Sequence, residues 1–250
     1  MNKGTGGDEQ RGVESTGTAD PFERLAPIYD AVFPCVVPKY QEAQDVLISL
    51  LPFGREEQVQ IVELGCGTGE LTLKLAKNFI EARIVAIDVS AAMLGAARRK
   101  LSPFLSRIRL LQRDLALPDW HDGIEAVDAI VSAYSLDFLP PDRHERLVAE
   151  VFSKLRPKGR FVSCEFVESE DPRVGQVFRD FEYRLITEEI RKGRVTREQI
   201  EILAGVSDTG PRHHVVQMGT QLRWLRENGF ARIDVPWRFF NFAIICAEKP

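Results

Sequence analysis

The stretch Glu63-Leu64-Gly65-Cys66-Gly67-Thr68-Gly69 holds the residue types and spacing that speak most directly of chemistry. Glycines at alternate positions let the backbone turn tightly and let a ligand approach it closely. Nineteen residues beyond Gly69 stands Asp88, and Asp114 ends the next apolar run. An acid at the first place accepts hydrogen bonds from both hydroxyls of a ribose. Asp114, at the same sheet edge, takes an adenine amino group. The dinucleotide pattern G-x-G-x-x-G is not met, because its third glycine position is Glu70. Glu63 is a poor neighbour for a pyrophosphate at a helix N-terminus and a good one for a cationic or amino group. An adenosine bearing a charged amino-acid tail therefore suits these residues better than a nicotinamide dinucleotide.

The elements that must position these residues alternate regularly. VQIVEL (59–64) is a short apolar strand, and the glycine turn after it opens a helix over Glu70–Asn78. RIVAID (83–88), RIRLLQRD (107–114), VDAIVSAYS (127–135) and RFVSCEFV (160–167) are further strands. Ser90 caps a helix running to about Leu101, and Asp142–Leu155 is a helix stopped by Pro157-Lys158-Gly159. Strands alternating with helices imply a parallel sheet covered on both faces. Upstream, PFERLAPIYDAVFPCVVPKY predicts a short helix, a break and entry into a helix with Tyr40, Ala43, Val46, Leu47, Leu50 and Leu51 on one face. Residues 171–204 are helical in pattern, 205–213 form a loop, and Gly219–Asn228 is a helix closed by Gly229. ARIDVPWRFFNFAIICAEK predicts two strands joined around Trp237–Phe240, which adds an antiparallel edge to the sheet. Residues 1–20 are too polar to bury a core and are expected to be a disordered tail before one domain spanning 21–250.

Composition narrows the function classes. Among 250 residues, 33 Lys and Arg stand against 37 Asp and Glu, a formal charge of −4 that disfavours nucleic-acid binding by bulk charge. The apolar runs fall far short of the about 20 residues that span a bilayer, and the polar N-terminus predicts no secretory signal. Cys35, Cys66, Cys164 and Cys246 form no CxxC pair, and His121, His144, His213 and His214 show no ligand spacing, so neither a disulfide scaffold nor a metal site is expected. A reducing compartment, the cytoplasm, follows by default.

V-E-L-G-C-G-T-G-E resembles the first motif of class I S-adenosylmethionine (SAM) methyltransferases, and the resemblance extends through AIDVSAAML, QRDLALP, LRPKGRFV and the closing hairpin, over roughly residues 22–249. It implies a seven-stranded Rossmann-like α/β sheet, six strands parallel and one antiparallel, with helices on both faces. It implies SAM as cofactor and S-adenosylhomocysteine as product, held by Tyr40, Glu63, Gly65, Cys66, Gly67, Asp88, Val89, Asp114, Leu115 and Ala133. In this pattern the loop packs on the methionine moiety, Asp88 binds ribose, Asp114 with Leu115 frames adenine, and Ala133 and Tyr134 face the sulfonium. VFPCVVPKY, SLDFLPPDRHERLVAEVFSKLRPKGRFV and WLRENGF resemble the subgroup that includes carboxy-SAM synthase of the tRNA wobble-uridine pathway, in which the tyrosine of P-x-Y, here Tyr40, reaches the cofactor. The synthase's R-S-M-L-E-N segment is missing, Arg197 in TREQIEIL being the nearest candidate, and G-C-S-L-G is replaced by Gly65-Cys66-Gly67-Thr68-Gly69. Both departures favour an ordinary methyltransferase acting on a small-molecule acceptor. A fold kept only for binding would show no turnover.

Other residues are weaker candidates. Tyr29 and Tyr40 flank a segment that reads as a lid, and Tyr29, Asp137 and His144 are candidate catalytic groups, the last two as general bases if the acceptor needs one. Methyl transfer to an activated carbon leans on proximity and desolvation, so a base is not obligatory. Trp237, Phe239, Phe240 and Phe242 suit a core, a subunit contact or an acceptor pocket. Arg98-Arg99-Lys100 and Arg191-Lys192-Gly193-Arg194 suit solvated helix ends, and SAYSLDFL lacks the N-P-P-Y type box of amino-directed nucleic-acid enzymes. Cys66 is expected to be a small packing residue of its loop. A homodimer is expected from the aromatic C-terminal region and the near likeness.

Overall fold

Short runs of branched and apolar residues become the strands, and the computed structural model describes them within residues 22–209 and 213–250. The expected tail at 1–20 lies outside the described residues. Eight strands form one sheet: β1 (Gln60–Leu64), β2 (Arg83–Asp88), β3 (Ile108–Gln112), β4 (Val127–Ala133), β5 (Leu155–Glu168), β6 (Val216–Gln217), β7 (Ala231–Phe239) and β8 (Phe242–Glu248). The main order is β3-β2-β1-β4-β5-β8-β7. β1 lies between β2 and β4, parallel to both, with Leu64 opposite Ile87 on one side and Ser132 on the other. The chain winds outward from β1 in one direction and resumes at β4 in the other. Such a switch point opens a crevice beyond the carboxyl ends of the strands.

The α-helices are α1 (Tyr29–Val36), α2 (Tyr40–Ser49), α3 (Glu70–Asn78), α4 (Ala91–Lys100), α5 (Pro141–Lys154), α6 (Pro172–Arg191), α7 (Arg197–Thr209) and α8 (Met218–Glu227), and short 3-10 turns lie at Ser102–Phe104 and Leu136–Phe138. Alternate residues of each strand enter opposite layers. Ile61, Val131 and Ile244 join the cluster holding Leu47 and Leu75, whereas Val62, Ile130 and Ile245 join that of Leu147 and Trp224. A sheet covered on both faces needs apolar residues on both, which is why these strands read as continuous apolar runs.

Four expectations are corrected. The antiparallel strand is not the sheet's edge: β8 inserts between β5 and β7, antiparallel to each, and β7 is outermost. FAIICAE is buried throughout and ARIDVPWRF alternates half-buried with exposed, the patterns of an interior and an edge strand. The tight turn falls at Phe240-Asn241, after β7, and Phe240 takes φ +51° there. The expected loop at 205–213 is helical to Thr209; positions 210–212 lie outside the described residues. An eighth strand, β6, pairs parallel with the end of β5, Val167 opposite Val216 and Glu168 opposite Gln217, and draws the preceding chain to the carboxyl edge of the sheet.

Candidate active site

The glycine loop turns away from β1 with φ +66° at Gly65, +53° at Gly67 and +81° at Gly69. A Cβ on Gly65 would lie 2.2 Å from the Cβ of Ser135, so only glycine lets this turn pass under the end of β4. A Cβ on Gly67 would meet nothing within 4 Å: the backbone there faces open space. Cys66 N–H donates to Ile87 O at 2.8 Å, and the Cys66 thiol is buried and pushed well above its usual range by that burial.

Asp88 locks the loop. Its Oδ2 accepts the Gly67 N–H at 2.7 Å and its Oδ1 the Ser90 N–H at 2.9 Å. Ser90 in turn accepts the Met93 N–H and caps α4. Glu63 is buried below the loop, where it accepts the Thr72 hydroxyl at 2.6 Å. Burial, reinforced by Asp88, pushes its carboxyl up to about 8, against the lowering by Thr72 and Lys100. Asp114 is exposed and accepts the Ala116 N–H at 2.8 Å. Leu115 beside it is buried, whereas Val89 at the end of β2 is 47% exposed, an apolar side chain turned to open space.

Aromatic rings close the other side. Tyr29 stacks on Phe33 with centroids 4.6 Å apart, Phe33 meets Tyr40 and Tyr134 edge-on, and Tyr40 stacks on Tyr134 at 5.7 Å. Tyr134 follows the half-buried Ala133 at the end of β4, with φ +58°. Burial raises the hydroxyls of Tyr29, Tyr40 and Tyr134 well above the usual phenol range. α1 is latched over the glycine loop: Asp30 accepts the Thr68 hydroxyl and pairs with Lys100 at 2.8 Å, while Lys100 also reaches Glu70 at 3.1 Å.

Asp137 lies on the turn after β4, 2% exposed, with its Oδ2 on His213 Nδ1. His214 N–H donates to the Asp137 carbonyl, so two bonds from the chain entering β6 converge on one residue. Phe138 lies 4.3 Å from the His213 ring and Phe166 6.0 Å. His144, the histidine singled out from the sequence, is instead buried against Trp224 of α8, and burial drops its imidazole to about 4. It is held neutral and away from solvent, and the histidine beside Asp137 is His213. Sequence reasoning also missed Glu165. Its carboxylate accepts the Ser132 hydroxyl at 2.6 Å and the N–H groups of Ser135 and Leu136, and burial next to Asp137 pushes it up to about 8.

The remaining candidates divide. Phe242 meets Tyr134 and Phe166, whereas Phe239 and Phe240 pack on Phe181 of α6 and Trp237 donates to Glu42. Lys100 is consumed by the latch, and Arg191, Lys192 and Arg194 pair with Glu188 and Glu189. Among the described residues no cluster is placed to hold a metal ion, and no helix is long and apolar enough to cross a membrane.

Comparison with known proteins meets this geometry. Residues 61–159, from β1 through the turn that opens β5, match the family model of a methyltransferase domain. The chain carries a class I SAM-dependent methyltransferase domain. Across its length the methyltransferase is similar to carboxy-S-adenosyl-L-methionine synthases: 26% identical over 233 residues to that of Nautilia profundicola, covering 91% of this chain and 93% of the relative. The protein of that name from Wolinella succinogenes is 28% identical over 242 residues, covering 91% and 92%. In fold it is similar to magnesium protoporphyrin IX methyltransferase of Synechocystis, solved with bound S-adenosylhomocysteine, at a TM-score of 0.62, 18% identity and coverage of 92% and 97%.

Proposed function

We propose that this enzyme moves the sulfonium methyl of SAM to a small-molecule acceptor by in-line displacement, leaving S-adenosylhomocysteine. The observation that carries this reading is the lock of Asp88 on Gly67 and Ser90, at a sheet switch point beside backbone open to a ligand. Gly65, Cys66 and Gly67 line the methionine moiety, and a ligand ammonium near Glu63 favours the charged form of that carboxyl. Asp88 takes the ribose hydroxyls, Val89, Asp114 and Leu115 frame the adenine, and Tyr40 and Ala133 face the sulfonium. Bound there, SAM supplies a methyl carbon already activated for transfer. Residues 21–250 act as one domain, in which the N-terminal segment with Tyr29 and the helical insertion 171–215 shape the acceptor pocket.

Asp88→Ala is expected to weaken SAM binding at least tenfold by titration calorimetry; unchanged affinity would overturn the ribose assignment. The names of the relatives support a second reading, carboxyl transfer to SAM from prephenate. Against it, Lys100, the cation bonded to the glycine loop, is already paired with Asp30 and Glu70. Mass spectrometry of the nucleoside after incubation with SAM and prephenate decides between the two, a gain of one carboxylate favouring the second. The reading includes cytoplasmic residence, in keeping with four free thiols, and a homodimer, for which Val177 and Tyr183, 53% and 73% exposed on α6, offer apolar surface. Nucleic acid and membrane are not among its partners in this reading.

A further inference from the structure

We propose that His213, carried on Asp137, is a general base that takes the proton of an acceptor hydroxyl, and that the acceptor is an uncharged phenol. This rests on the methyl-transfer reading above. The dyad is built rather than incidental. Asp137 is 2% exposed, its Oδ1 has no hydrogen-bond partner among the described residues, and its Oδ2 holds His213 Nδ1. A carboxylate on Nδ1 selects the tautomer whose proton sits there and leaves the Nε2 lone pair outward. The His213 side chain is 38% exposed, and no described residue bonds Nε2. The dyad stands past the end of β4, three residues beyond Tyr134, on the crevice side of the sheet.

The surroundings choose the acceptor. Phe138 and Phe166 border the His213 ring, Phe22 meets Phe138 edge-on, and Tyr134 meets Phe166, so the walls are aromatic. Tyr29 from α1, His144 from α5 and Glu165 from β5 feel Asp137, and none of these three is a cation that would meet an anion. A flat neutral ring fits such walls, and its hydroxyl, with a pKa near 10 for a simple phenol, needs a base at neutral pH. His213 Nε2 takes the proton as the O–H bond breaks and the oxygen pair forms the new O–C bond; the C–S pair returns to sulfur. Asp137, a positioning residue, steadies the imidazolium until water takes its proton.

The test uses 4-nitrophenol as probe, with S-adenosylhomocysteine present so that no turnover is needed. In the wild-type enzyme the bound probe is expected to ionise, read by its absorbance, about one pH unit or more below the free probe. His213→Gln and Asp137→Asn should abolish that shift while S-adenosylhomocysteine affinity stays within about twofold. With a phenol that turns over, His213→Gln should lower kcat by about 10²–10⁴-fold and remove the ascending limb of the pH profile. A probe that fails to bind, or binds without ionising, or ionises equally in His213→Gln, overturns the proposal and leaves the methyl-transfer reading standing. Wild-type enzyme that ignores S-adenosylhomocysteine overturns that reading instead.

Discussion

The two sides of the crevice are built in different ways. On the cofactor side, Gly67 and Asp88 are joined across 21 residues by one helix and one strand. On the opposite side, Asp137 meets His213 across 76 residues, and Ser132 meets Glu165 across 33. Local assembly makes the first side readable as a motif and exchangeable as a unit. Long-range assembly makes the second side free to vary, because any chain that reaches the end of β5 can supply a residue there.

Substitutions should separate the two sides. Gly65→Ala should be the most damaging, since it puts a Cβ 2.2 Å from Ser135 at a backbone φ of +66°. Strain and overpacking together predict a loss of roughly 2–5 kcal/mol, seen as a lower Tm, with SAM binding lost as well. A Tm within experimental error of wild type would show that the two sides do not share this contact. Asp88→Ala and His213→Gln come next: the first should lower SAM affinity and loosen the loop that Asp88 holds, and the second should act on proton transfer.

Glu63 and Glu165 form a matched pair, one on each side, both pushed up to about 8 by burial. A carboxyl whose folded pKa is raised stabilises the fold below the ordinary carboxylate range, and that contribution is lost as pH rises through about 8. Glu63→Gln and Glu165→Gln should each remove part of that decline, a gain of roughly 1–3 kcal/mol at alkaline pH in thermal unfolding. Only Glu63→Gln should weaken SAM binding, because a glutamine cannot become charged beside a ligand ammonium. Equal loss of affinity in both variants would erase the distinction between the sides. The smallest effect belongs to Asp30→Ala. The Asp30 side chain is 52% exposed, so its ion pair with Lys100 is worth about 0.2–1 kcal/mol. Stopped-flow dissociation of SAM should quicken by only about threefold as the latch loosens.

How much was legible follows from the same division. The strands β1 to β5, the glycine loop and Asp88 stand out because short apolar runs, turn residues and an acid at a fixed offset are local signals. His213 did not stand out. It sits in a segment of loop-like composition, and its only structural cue is Val215-Val216, too short a run to announce the two-residue strand β6. His144 was a candidate base because it follows the fourth strand, yet a position on the inner face of α5 turned it onto Trp224. Glu165 read as a strand residue, and nothing in RFVSCEFV tells that its carboxylate collects two backbone N–H groups from the turn after β4.

By itself the sequence determined the alternation of strands and helices, the sharp turn after β1 and the acid that closes on it, since each depends on the conformational preferences of a few neighbouring residues. The tertiary structure alone decided where β8 inserts, which histidine joins Asp137 and which carboxyls lose their water. Those outcomes rest on pairing and burial between segments far apart in the chain, and desolvation has no counterpart in a linear pattern.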